Sequence, residues 1–346
     1  MRIPGVGRLK AQGSRFWGQL APGPLVLCWH RVAHLHQDPY LLAVTPEHCD
    51  EQLRALRDRY QVVSLADLTR GLAGRRGLGP VVALTFDDGY ADNATTAFPL
   101  LRKHGMPATF YLSSGYVGTT REYLQDELER LLLASPHYPD ELHLTVAGKS
   151  FAWDLRSRDA LREAAVSEPK WDITSKIDPT PRHRALREIH NLLRVSRPVE
   201  RDRALDQLRS QCGDLGLARP THRPMTWGQA RDMAACELVE LGAHTVNHPW
   251  LSVLSAAEQR SEIVASRRTL EAQIARPVVS FAYPYGTRES YTMETVSVVN
   301  EAGFTNACST FRARIGGRSD LFQFPRLVVR DWDGDEFLRR LKAGRL

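Results

Sequence analysis

Two short runs in this chain gather side chains that can do chemistry. Thr85-Phe86-Asp87-Asp88-Gly89 sets two carboxylates side by side before a glycine, and His244-Thr245-Val246-Asn247-His248-Pro249 sets two imidazoles four residues apart. Adjacent carboxylates repel, so something positive must hold them together. Histidines at i and i+4 can reach one ion from a helical turn or a tight loop. Two histidines and one aspartate form a three-ligand set with a position left for water, the pattern of a catalytic metal site rather than a closed structural one. Taken alone, each run has an ordinary reading: a solvated helix start for the acids, two separately satisfied histidines for the other. Their joint occurrence at the ends of expected strands is what points to a site.

The elements that must position them follow from the apolar pattern. Residues 25–30, 81–86, 108–112, 238–243, 278–283, 304–307 and 325–329 read as short strands. Residues 46–60 (capped by Thr45), 64–73, 93–104, 256–274, 291–302 and 335–341 read as helices, with Gly105 and Gly303 ending two of them. Strand followed by helix, repeated, argues for an α/β fold with a parallel sheet and helices outside it. Between residues 120 and 225 the rhythm breaks. A helix at 122–134, a hairpin of 142–146 with 151–155, and two or three Arg-rich helices from about Arg158 to Cys212 are expected there. This block reads as an insertion over the carboxyl ends of the strands, where substrate contacts collect. A helical cap that only buries apolar surface is the alternative.

The 346 residues suffice for one large domain or two modest ones. With 42% hydrophobic and 25% charged residues, the composition excludes disorder, collagen and a coiled coil. The formal charge of +6 is concentrated at the start, where Arg2, Arg8, Lys10, Arg15 and Arg31 meet no acid before residue 32. A nearly neutral body argues against nucleic acid as a partner. Cys28, Cys49, Cys212, Cys236 and Cys308 form an odd set without a C-x-x-C pair, which suggests free thiols in a reducing compartment. The first thirty residues contain no secretory apolar run, and no stretch reaches the ~20 apolar residues of a membrane span. The expected location is therefore cytoplasmic.

TFDDG at 85–89, HTVNHP at 244–249 and FAYPYG at 281–286 resemble the ordered motifs of the polysaccharide deacetylases, the NodB-homology family (carbohydrate esterase family four). The resemblance covers roughly residues 22–120 and 226–342. It implies a distorted (β/α) barrel, usually of seven strands, and one divalent metal ion held by Asp88, His244 and His248, with Asp87 as catalytic base. Zinc is the expected ion, and Co2+, Ni2+ or Mn2+ suit the same ligands. The chemistry fits: an acetamide needs an activated water, a stabilised oxyanion and a proton for the departing amine. The family motif further implies that the Tyr285 backbone N–H helps to hold the oxyanion.

Two departures from the family pattern stand out. The third motif often carries an arginine two residues before its proline, where it orients the base; here that residue is Ala282, and Arg326 in FPRLVV is the candidate replacement, the other reading being a surface arginine at a strand start. The general-acid histidine usually lies near the C-terminus in a Leu-x-His motif, yet no histidine follows His248. Trp29-His30-Arg31 resembles instead a branch with that motif moved to the front, which implies His30 as general acid. His34 and His36 follow the strand and are expected to face solvent. Asp331 could orient His30, and Trp332 could line the acetyl or sugar pocket, or the acids near them could merely cap the final helix.

These readings converge on a metal-dependent de-N-acetylase of an N-acetylated amino sugar in a saccharide or glycan precursor. Its expected organisation is a basic lead-in at 1–21, a deacetylase barrel at 22–120 and 226–342, and an inserted, mostly helical cap at 121–225. The lead-in could touch an anionic inner membrane surface where a lipid-linked saccharide would be found; no obligate protein partner is inferred. The rival readings are a non-catalytic glycan-binding protein on the same fold, which the departure at Ala282 favours, an N-formyl sugar deacylase, and an interaction protein built on the basic N-terminus.

Overall fold

The computed structural model describes residues 23–74, 79–135, 137–156, 171–213 and 218–343, so the basic lead-in lies outside the described residues. Seven strands form one curled parallel sheet: β1 Leu25–Trp29, β2 Val81–Phe86, β3 Ala108–Leu112, β4 Val239–Ala243, β5 Ser280–Ala282, β6 Asn306–Cys308 and β7 Leu327–Val328. Their order is β6-β5-β4-β3-β2-β1-β7, and Gln61–Val62 pairs with β2 beside this path. A strand covered on both faces reads as a continuous apolar run, and β2, VVALTF, is buried at every position. The segment leading into β7 spans the seam of the half-barrel. Phe324 bridges to Cys308 of β6, and Leu327 and Val328 pair with β1.

Helices α1 Pro46–Arg59, α2 Leu65–Ala73, α3 Phe98–His104, α4 Leu124–Glu129, α5 Pro181–Arg194, α6 Pro198–Cys212, α7 Trp227–Ala234, α8 Ala256–Ile274, α9 Met293–Glu301 and α10 Gly334–Ala343 complete the described fold. The Thr45 hydroxyl accepts from the His48 N–H and caps α1 as its sequence predicts. The helix expected at 93–104 starts as a π-turn, Asn93–Ala97, before becoming α3, which Gly105 ends in the left-handed conformation. The expected strand at 278–283 is only three residues long, because its flanks turn into the site loops.

The block between β3 and β4 has an apolar cluster of its own. Leu124, Leu128 and Leu131 pack with Leu142 and Leu144 of the hairpin Glu141–Val146/Lys149–Asp154 and with Ile189 and Leu205 of α5 and α6. The portion of the expected helical stretch at 157–170 lies outside the described residues. Among those described, α5 and α6 are its helices, and α5 begins at Pro181 within the IDPTP interruption, capped by Thr180. Buried ion pairs tie the block together, with Glu122 accepting from Arg130 and Arg219 at 3.0 Å each.

Glu240 of β4 is half-buried, and its Oε1 has no hydrogen-bond partner. Burial raises its pKa from 4.5 to about 7. The folded chain therefore holds this proton where the unfolded chain releases it, and stability falls as pH rises from about 4.5 through about 7. Glu240→Gln is expected to stabilise the fold at pH 8 by on the order of 2 kcal/mol and to have little effect at pH 4. Denaturant titrations at the two pH values check this, and equal effects at both would contradict the account.

Candidate metal and acid–base site

The parallel register brings the carboxyl ends of the strands to one rim. Trp29 pairs with Phe86, and the Asp87 N–H continues that ladder by donating to the Trp29 carbonyl at 2.9 Å. The His244 N–H does the same with Leu112, at 3.0 Å. Beyond these points the backbone is bent sharply, with positive φ at Asp88 (73°), Thr245 (65°), His248 (50°) and Tyr285 (61°). Side chains resist that conformation, so its concentration at one rim marks positions held by their surroundings.

Asp87 and Asp88 are buried and receive separate partners. The Arg326 guanidinium grips Asp87 through both oxygens, Nη1 to Oδ1 and Nη2 to Oδ2, each at 2.6 Å. It is itself fixed by Ser309 O at 2.9 Å and Thr85 Oγ1 at 3.1 Å. Burial pushes the Asp87 pKa up, and Arg326 together with His244 and His30 more than offsets it, leaving the carboxyl below its ordinary range. The surface reading of Arg326 is thus corrected: its side chain is fully buried, and it supplies the guanidinium that Ala282 cannot.

Asp88 faces the histidine pair. Its Oδ1 lies 3.5 Å from His244 Nε2 and 3.3 Å from His248 Nε2. His244 Nδ1 is 2.7 Å from the Ala282 carbonyl and must donate there, so in the neutral ring Nε2 presents a lone pair to the Asp88 oxygen. Two electron-rich atoms face each other across that gap, and a cation between them removes the repulsion. Asp88, His244 and His248 are all buried, with one ligand atom from each inside a 4.8 Å group. The donor set, the spacing and the oriented tautomer fit a divalent ion. The loop is built to hold this shape. Glu262 accepts from the Val246 and Asn247 N–H groups at 2.9 Å each, and His248 N donates to Thr245 Oγ1.

His30 lies at the end of β1, where Asn93 Nδ2 donates to its carbonyl at 2.8 Å. A ligand atom of His30, one of Asp87 and the Cys28 sulfur form a second group within 4.8 Å. Its Nδ1 is buried without a hydrogen-bond partner. Burial lowers its pKa, and the Asp88 and Asp87 carboxylates oppose the shift. His30, Asp87, Asp88, His244, His248 and Tyr285 all line one cavity of about 320 Å³. Tyr285 belongs to a tight turn in which its carbonyl accepts from Thr310 Oγ1 at 2.6 Å. A Cβ on Gly286 would meet the Thr310 nitrogen at 2.7 Å, so this turn requires glycine.

Two expectations are corrected. Asp331 accepts from the Thr45 N–H and hydroxyl and from His48 Nδ1, at 2.9, 2.9 and 2.7 Å, and so serves the start of α1 rather than His30. Trp332 lies outside the cavity lining, packed on the outer core with Arg340 over its ring, because its chain has already turned toward α10. His34 and His36 are exposed as expected.

Several positioning residues gave no motif. Arg201 of α6 is fully buried and donates to the carbonyls of His248 and Asn247 at 3.2 and 2.7 Å, so the block between β3 and β4 directly holds the histidine loop. Tyr123 likewise donates to the Asp88 carbonyl, while Arg31, which belongs to the Trp29-His30-Arg31 motif, pairs with Asp92 at 3.0 Å. One arginine among many in an amphipathic pattern carries no signal of such a role.

Removing one member of a buried ion pair strands the other charge. Arg326→Met is expected to destabilise the fold by about 3–5 kcal/mol, and Asp87→Asn combined with it should recover much of that loss. Chemical denaturation of both single variants and the double variant measures the coupling, and additive effects would refute it.

The family model described as polysaccharide deacetylase matches residues 74–138 and 213–307. The poly-β-1,6-N-acetyl-D-glucosamine N-deacetylase of Escherichia coli (strain K12) is 33% identical over 99 residues, which is 28% of this chain and only 15% of that protein's length. The Streptococcus pyogenes deacetylase PplD, solved in complex with acetate, superposes with a TM-score of 0.56 at 18% identity, covering 93% of this chain and 99% of that one. IcaB from Ammonifex degensii gives 0.56 at 20% identity, covering 94% and 99%. At such identities these two structures speak to the fold.

Proposed function

We propose that this chain, which is similar to the polysaccharide deacetylases over part of its length, hydrolyses the N-acetyl group of an amino sugar in a saccharide or glycan precursor. The observation that carries the reading is one cavity in which an arginine-clamped carboxylate, a buried histidine and an Asp-His-His cluster converge. The glycan-binding alternative rested on the missing arginine at Ala282, and the Arg326 clamp on Asp87 removes that ground.

Asp88, His244 and His248 would hold the divalent ion. When bound, such an ion lowers the pKa of water and polarises a carbonyl. Asp87 takes the proton of the attacking water as general base. Arg326 fixes the plane of its carboxylate, which retains lone pairs for that proton. His30 gives a proton to the departing amine. Burial opposes its charged form, so the ionised carboxylates nearby are what allow it to carry that proton. The Tyr285 turn presents backbone to the developing oxyanion. Helix α5 supplies His190 and Arg194 to the same cavity, which supports a substrate-selecting role for the inserted cap.

Acetate release from N-acetylglucosamine oligosaccharides tests the reading. Wild type should turn over; Asp87→Asn and His30→Ala should each lose roughly 10²–10⁴-fold in kcat while retaining metal. His248→Ala should lose the bound ion by elemental analysis, and chelation should abolish activity reversibly. Metal-loaded wild type that releases no acetate from a broad panel of N-acetylated sugars would overturn the proposal.

A further inference from the structure

Hydrolysis of an acetamide leaves two arginines on the cavity wall without a task. Arg194 ends α5 in the inserted block, and Arg330 follows β7 at the other end of the chain, yet both line the same cavity as Asp87 and His244. Neither lies within ion-pair distance of a carboxylate among the described residues. Arg194 sits over the Trp250 ring at 5.0 Å with its Nε buried and unpartnered. Arg330 donates through Nη1 to the Tyr40 and Leu41 carbonyls, which fixes its guanidinium, and Asp38 and Asp172 act on its charge only from beyond ion-pair distance. Beside Arg194, His190 Nδ1 is buried without a partner, and so is the hydroxyl of Tyr40, whose ring packs 4.8 Å from that of His190.

The charges of the reacting groups cannot answer these cations. Asp87 is already neutralised by Arg326, and Asp88 faces the histidine pair. An unpaired guanidinium in a half-closed cavity is costly unless a ligand supplies the anion. A neutral N-acetylated sugar would not use it, whereas a phosphoryl or carboxylate group matches the planar fork of arginine. The cavity of about 320 Å³ falls at the small end of pockets that take small molecules.

Resting on the de-N-acetylase reading, we infer that the substrate is an N-acetylated amino sugar bearing an anionic substituent, which Arg194 and Arg330 receive while its acetamide lies against Asp87. The inserted block then contributes to substrate choice through charge, with Arg194 as its contact.

The test is equilibrium binding of N-acetylglucosamine 1-phosphate, N-acetylmuramic acid and neutral N-acetylglucosamine to the metal-loaded full chain at low and high salt, with acetate release followed in parallel. At least one anionic sugar should bind roughly tenfold more tightly than the neutral one, about 1.4 kcal/mol, and the preference should shrink at high salt. Which of the two binds identifies phosphoryl or carboxylate as the recognised group. Arg194→Gln should erase the preference, and Arg194→Lys should keep part of it, with thermal melting confirming that both variants fold. Equal affinity for the three sugars overturns the inference. So does a preference that survives both Arg194→Gln and Arg330→Gln, since the anion would then be held by the metal. Acetate released equally well from neutral and anionic sugars defeats the inference and leaves the de-N-acetylase reading standing. Arginine-dependent anion binding with no acetate from any sugar overturns the de-N-acetylase reading and the substrate assignment built on it, and leaves only an anion site made by the two arginines.

Discussion

Two adjacent carboxylates buried at the end of one strand are unstable unless each finds its own positive partner, and much of the site's architecture answers that demand. Asp87 is met by a guanidinium brought across the seam of the half-barrel from the segment just before β7. Asp88, turned the other way by its left-handed backbone, is met by the two imidazoles of the loop after β4 and the ion they are suited to hold. The division gives two neighbouring acids different tasks. One is kept as an oriented base, the other as a ligand, and the difference arises from environment rather than residue type.

Holding the histidine loop in shape extends the same constraint outward. Its backbone N–H groups are taken by Glu262 of α8, and its carbonyls by Arg201 of α6. The block between β3 and β4 is thus part of the site's support. It reaches the site on a second side through Tyr123, which donates to the Asp88 carbonyl, and through Asp126, to which the Tyr90 hydroxyl donates at 2.7 Å. A block with its own apolar cluster and internal ion pairs can serve as a firm anchor, because its shape is set by its own contacts.

Most of the strands and helices and their alternation into a parallel sheet were legible in the sequence because each rests on a local signal. The closing of that sheet toward a seven-stranded barrel came only with the family resemblance, and the helix Trp227–Ala234 was not anticipated. Continuous apolar runs mark strands buried on both faces, a threonine or serine before an amphipathic run marks a helix start, and glycine marks its end. The departures occurred where tertiary contacts take over. The strand expected at 278–283 shortened to Ser280–Ala282 because its ends are drawn into the Tyr285 turn and the loop before it. The assignments of Asp331 and Trp332 failed for a related reason: proximity in sequence to a strand end does not fix which side of the chain faces the cavity.

The sequence alone determined the chemistry on offer: which carboxylates and imidazoles stand at strand ends, that Ala282 cannot orient a base, and that no histidine follows His248 to fill the usual C-terminal position. Tertiary structure decided which long side chains serve those groups. Arg326 could be read as the replacement guanidinium or as a surface arginine until the seam of the sheet placed it on Asp87, and Arg201, Arg194 and Arg330 carried no signal at all. The physical reason is reach. A motif records residues whose backbone neighbours position them, whereas a guanidinium acts at the end of a long flexible stem, and its partner is set by packing between segments far apart in the chain.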